Sequence, residues 1–226
     1  MRRNIFSFVI PIFLFIIGVQ SVSGQEKKKM QHPEILKEVN VIQSNFSKNI
    51  SQYDFKKDSA LYVEKYRFFH SEKMKNLKNL YQSWYEKHPL IGKKEFEINN
   101  GKSTEATDAK LLENEKPQAI QKEYPLIEIA EIENYQQMLD LKKYIPNNFP
   151  TNLFMDGYED RYKTVLTFYV DVDGKFKKIK YRGSNEEFNL ISALYLYSVG
   201  SLDKPILYKN TPLMAIFSQP ISLILE

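Results

Sequence analysis

Residues 163–181 constrain this chain more than any other stretch. Leu166, Phe168, Val170 and Val172 alternate with Val165, Thr167, Tyr169 and Asp171, the period-two pattern of a strand with one buried face. Asp173-Gly174 follows, the two-residue signal of a type I′ hairpin turn, and 175–181 supplies the returning strand. Ser184, with Glu187 three residues on, predicts a capping box and the start of a helix. Phe188, Ile191, Leu194, Tyr195 and Val199 form its buried stripe, and Gly200 its C-terminal cap. After a loop holding Pro205 and Pro212, residues 213–225 read as a last strand, with Leu213, Ala215, Phe217, Ile221, Leu223 and Leu225 on one parity. A three-stranded antiparallel sheet with a helix over one face, in the order ββαβ, satisfies all of these patterns and places the chain in the α+β class.

The chain upstream divides into three. Arg2 and Arg3 precede an apolar run over 5–19, and Val22-Ser23-Gly24 ends it with a small-residue site. This is the pattern of a secretory signal peptide, 1–24, cleaved after Gly24. The run is shorter than the roughly 20 residues a membrane span needs. Residues 25–98 are charged and aromatic and predict helices. Pro33 suits a first helical turn before Ile35, Leu36, Val39 and Ile42. A longer helix over 59–87 carries Tyr62, Tyr66, Phe69, Leu77, Leu80, Tyr81 and Trp84 near one face, read as core or helix–helix contact, and His88-Pro89 stops it. The heptad pattern breaks at His70 and Lys73, which argues against a coiled coil. Residues 99–122 are polar and turn-prone and read as a linker to a domain over 123–226. Gly101-Lys102-Ser103 is not a phosphate-binding loop, because Phe96 stands where its first glycine is needed.

With these features on the page, residues 149–226 resemble the C-terminal domain of TonB, the periplasmic part of the energy transducer for outer-membrane receptors. Phe168-Tyr169-Val170-Asp171-Val172-Asp173-Gly174-Lys175 is similar to the family's strand running into a D-G hairpin. The helix with Phe188 and Ala193, the Lys204-Pro205 element, and Gln219-Pro220-Ile221-Ser222-Leu223-Ile224-Leu225 follow in the same order. Phe149-Pro150 is similar to the Tyr-Pro element before the first strand. The resemblance implies a ββαβ fold, a periplasmic address and a final strand at the sheet's edge.

Composition removes most chemistry. The chain has no cysteine, so disulfides, thiolate metal sites and cysteine nucleophiles are excluded. His32, His70 and His88 lie outside the best-defined domain without metal-site spacing, and neither G-x-S-x-G nor S-x-x-K occurs. Asp171 and Asp173 read as a solvated hairpin end. No enzyme activity, cofactor or metal is expected. The formal net charge is only +4, and nucleic acid is not an expected partner. Lys175, Lys177, Lys178, Lys180 and Arg182 read as guards that discourage pairing at one sheet edge. By contrast, 213–225 carries no charge, an edge suited to a partner's added strand at Met214, Ala215, Ile216, Phe217, Ser218 and Gln219. The expected function is therefore a secreted or periplasmic interaction module. Its partner would be an envelope protein, and the resemblance implies a segment of an outer-membrane receptor and TonB-dependent transport. Two alternatives stand beside it: an inner-membrane energy transducer, if residues 1–24 are retained as an anchor, and a structural envelope protein that self-associates as a homodimer.

Overall fold

In a computed structural model of the chain, the described residues are 30–93, 97–99, 126–154 and 161–224. The expected signal segment and cleavage point lie outside them, as does the expected linker except for Asn99. Pro33 occupies the first turn of α1 (Pro33–Ile50), where its missing N–H costs nothing. Asp58 caps α2 (Ser59–Lys87) by accepting the Leu61 N–H at 2.9 Å, and α2 ends at His88, before Pro89. Next come β1 (Glu97–Asn99), β2 (Leu126–Glu128) parallel to it, and α3 (Gln136–Asn147). The remainder comprises β3 (Arg161–Val170), β4 (Phe176–Gly183), α4 (Glu186–Val199), β5 (Ile206–Tyr208), β6 (Thr211–Leu213) and β7 (Ala215–Ile224). Among the described residues the protein is thus α+β, with four α-helices and a three-stranded antiparallel sheet ordered β4-β3-β7.

Two-sided burial explains the composition of α4. Every residue from Glu187 to Val199 is buried, because one side lies on β3 and β4 while α1 and α2 cover the other. A helix wrapped in this way is apolar all round rather than striped. Ile35 and Val39 of α1 and Leu77 and Trp84 of α2 join Tyr162, Leu166 and Phe168 of β3 and Phe188 and Leu194 of α4 in one core. Residues 33–87 and 126–224 therefore share that core, whatever the boundaries of the linker between them. Beyond it, the first half of α2 meets α1 and the α1–α2 connection through aromatic contacts. Tyr66 packs on Phe46, Phe69 on Tyr53 and Tyr62 on Phe55, with ring centroids 5.5, 6.2 and 5.6 Å apart. The expected aromatic stripe is core at one end and helix–helix contact at the other.

Three local expectations are corrected. The β3–β4 connection is not a two-residue type I′ turn at Asp173-Gly174. Gly174 has φ +76°, but Asp173 lacks the positive φ that type I′ requires. Asp171 and Lys175 instead flank a three-residue loop, closed by Gly174 N–H to Asp171 O (2.8 Å) and Asp171 N–H to Lys175 O (3.0 Å). That is a turn ending in a left-handed glycine. The type I′ geometry occurs elsewhere, at Lys209 (φ 48°) and Asn210 (φ 60°), which join β5 to β6 where a loop was expected. As a result the last strand starts at Ala215, not Leu213. Finally, Asn185 caps α4 in place of Ser184: its Oδ1 accepts the Phe188 N–H at 2.9 Å, and Glu187 is used otherwise. Gly200 is the expected C-cap, at φ +87°.

The corrected turn keeps Gly174 indispensable. A Cβ there would lie 3.3 Å from the Pro205 nitrogen, and a β-branched residue at positive φ is a severe outlier. Gly174→Val is expected to lower stability by more than the ~1 kcal/mol of an average substitution, read as a shift in the urea midpoint.

Candidate partner-binding edge

β7 pairs with β3 on one side, from Arg161↔Ile224 to Val170↔Ala215, and with no strand on the other among the described residues. Ala215, Phe217, Gln219 and Ile221 are buried toward the helices, and Phe217 sits opposite Phe168 with ring centroids 6.2 Å apart. Ile216 and Ser218 occupy the other parity and are half-buried. The Ser218 hydroxyl lies 3.3 Å from that of Thr167 across the pair. Met214 precedes β7 and is buried. It borders a cleft of about 290 Å³ shared with Ile91, Lys93, Val172 and Pro212.

Pro220 identifies which main-chain groups face outward. It lies opposite Val165 in an unbroken register, and a proline fits a ladder only where its nitrogen points away from the neighbouring strand. Outward-facing groups recur at every second residue. Ile216 and Ser218 share the parity of Pro220, so their N–H and C=O groups face the unpaired side.

The opposite edge, β4, differs from expectation. Lys177 is not a solvated guard but is buried, with Nζ 2.7 Å from Asp171 Oδ2 and 3.1 Å from Asp173 Oδ2. Lys178 stands at φ 49°, where the β3–β4 register shifts, and its Nζ donates to Tyr85 O at 2.8 Å. Asp171 is likewise buried rather than solvated. It accepts the N–H groups of Ile91 (2.7 Å), Gly92 (2.8 Å) and Val172 (2.8 Å) besides the Lys177 ammonium. Burial pushes its carboxyl up, but Lys177 and the three amides outweigh it and hold the group below the usual carboxylate range. Asp173 remains a turn residue, its Oδ1 accepting the Lys175 N–H at 3.1 Å.

A second buried ion pair joins the layers. Glu187, in the first turn of α4, accepts Lys73 Nζ and Gln43 Nε2, both at 2.6 Å, and His70 Nε2 lies 3.9 Å from it. The histidines, separate in the sequence, are partly reunited. His32 and His88 both contact Trp84, with centroids 5.0 and 5.3 Å away. Spacing rules for short motifs could not find this, because α1 and α2 bring the pair together from 56 positions apart. Among the described residues, no group of three or more His, Cys, Asp and Glu side chains is placed to hold a metal ion, and no helix is long and apolar enough to cross a membrane. Comparison of the chain with protein-family models, curated proteins and solved structures yields no match.

Proposed function

We propose that this chain is a secreted or periplasmic protein–protein interaction module with a TonB C-terminal-like ββαβ domain, and that it binds an extended segment of an envelope protein as an extra strand along β7. The observation that carries the reading is the outer side of β7, a terminal strand with no charged residue between 213 and 225. Long uncharged edges are normally blunted by lysine, a bulge or a cover. β4 has the bulge and is bonded to α2 through Tyr81 Oη to Ile179 O and Lys178 Nζ to Tyr85 O, whereas β7 has only Pro220. A partner strand would take hydrogen bonds from Ile216 and Ser218, and Pro220 would limit how far the pairing runs. Main-chain bonds supply affinity in this mode, and side-chain pockets supply specificity.

Proline substitutions test it. Ile216→Pro and Ser218→Pro each remove an outward N–H and should fold with a nearly unchanged urea midpoint. Each should weaken capture of the envelope partner by about fivefold or more, because a stranded acceptor costs about 1–3 kcal/mol. Phe217→Pro removes an inward donor and should instead destabilise the sheet. If both outward variants fold and capture the same protein as well as wild type, binding does not occur along this edge.

A further inference from the structure

We propose that His32, Trp84 and His88 form an acid-sensitive latch that holds the start of α1 against the C-terminal end of α4 at neutral pH and releases it when His88 takes up a proton. Residues 31 and 32 are clipped to α4 by His32 N–H to Ser198 O (3.0 Å) and by Gln31 Nε2 to Ser201 Oγ. Gly200 makes room for the clip, since a Cβ on it would stand 2.8 Å from Gln31. The rings then close over it. His88 stacks on Trp84 at an interplanar angle of 17°, His32 tilts on Trp84 at 52°, and the two imidazoles are 6.4 Å apart.

The charges around this stack are one-sided. From α1, Glu34 Oε1 lies 3.1 Å from His32 Nδ1 and faces that ring, not His88. From α2, Lys87 Nζ lies 4.7 Å above the Trp84 ring, and from the β3–β4 connection Lys175 lines the same small cleft. From α4, Tyr197 contributes a ring 6.2 Å from Trp84 and no charge. His88 has a carbonyl, Trp84 O, 3.4 Å from Nδ1 and no facing carboxylate among the described residues. Burial pushes its pKa below that of a free imidazole, the Trp84 carbonyl opposes this, and Lys87, His32 and Lys175 add to the lowering. The sign follows: the unfolded or unlatched chain binds the proton more readily, so the latched state is fully stable above about pH 6.5 and loses stability as pH falls through the lowered folded value.

Trp84, the only tryptophan in the chain, reports on the contact. A protonated imidazole quenches an indole it touches, so emission of the full-length protein is expected to fall between pH 8 and 5, with a component from His88 whose midpoint lies below 6.5. His88→Gln should remove the component with the midpoint below 6.5, whereas His32→Gln, which leaves the His88–Trp84 stack in place, should keep it. Release is read by hydrogen exchange at pH 7.5. His88→Lys, a permanent positive charge, should speed exchange at the His32 amide about tenfold, while His88→Gln leaves it near wild type. Exchange of the wild-type His32 amide at pH 5.5, corrected for its intrinsic rate, should show the same acceleration. Flat emission across this range, a component with a midpoint below 6.5 that survives His88→Gln, or equal His32 exchange in latched and charged forms would overturn the proposal.

Discussion

Lys73→Met is expected to destabilise the protein by about 3–5 kcal/mol, measured by urea denaturation at pH 7, because it strands a buried carboxylate. Glu187 and Lys73 are only 2% and 3% exposed, and their 2.6 Å contact is the charge-assisted link between α4 and α2. Gln43 Nε2 adds a hydrogen bond from α1, and Lys73 Nζ also lies 4.5 Å from the Phe46 ring centroid. Removing the cation leaves Glu187 with Gln43, and with His70 at 3.9 Å as a cation only when protonated. Neutralising both ends is different. In Lys73→Met/Glu187→Gln no buried charge remains, and a neutral amide can still accept from Gln43. Most of the loss should return, since replacing a whole buried pair is often neutral or stabilising. A double variant as unstable as Lys73→Met alone would mean the pair is not coupled as its geometry implies.

This pair shows where the sequence was legible and where it was not. Helix α2 could be read to its ends, 59–87, because Pro89 and a regular apolar stripe mark it. Yet His70 and Lys73, which break that stripe, are the residues that meet Glu187. A lysine on an apolar face carries no sign of its partner 114 positions away. Glu187 was misread for a related reason. Its spacing from Ser184 matches a capping box, but Asn185 supplies the cap and frees Glu187 to reach across. Strand periodicity located β3, β4 and β7 to within two residues and the buried parity of β3 and β7 within those strands, because burial on one side enforces alternation, whereas the lysines of β4 hid that Lys177 is buried. Turn chemistry was less readable: the D-G pair sits in a longer loop, while the type I′ turn is made by Lys209-Asn210 without a glycine. Asn tolerates positive φ through its short polar side chain, whereas nothing in the sequence marks Lys209 for it. The edge position of β7 was legible only through the family resemblance, while composition showed its lack of charge. The strap formed by Ile91 and Gly92, which lies against Asp171, Val172 and Met214 where β3 stops and β7 starts, was not, because two backbone amides reaching Asp171 leave no side-chain signature.

That strap sets the second large effect. Asp171→Ala should cost about 3–5 kcal/mol, since it leaves the buried Lys177 ammonium and the Ile91, Gly92 and Val172 amides without their common acceptor. Asp171→Asn should cost less, because the amide oxygen still accepts and Lys177 keeps Asp173 at 3.1 Å. Gly92 explains why the carboxylate can be approached at all: a Cβ there would stand 2.7 Å from Asp171 Oδ1. The pH dependence separates this carboxylate from a merely space-filling residue. Its folded pKa is depressed, so its contribution is present above the unfolded value near 3.9 and is lost as pH falls through the lower folded value. The stability difference between wild type and Asp171→Ala should therefore be constant from pH 7 to about 5 and shrink below about pH 4. Hydrogen exchange at Ile91 and Gly92 should accelerate in the alanine variant while α4 stays protected, because only the strap loses its anchor. A difference that persists unchanged to pH 2, or a loss under 1 kcal/mol, would mean that Asp171 is not the ionised group on which Lys177 and the strap converge.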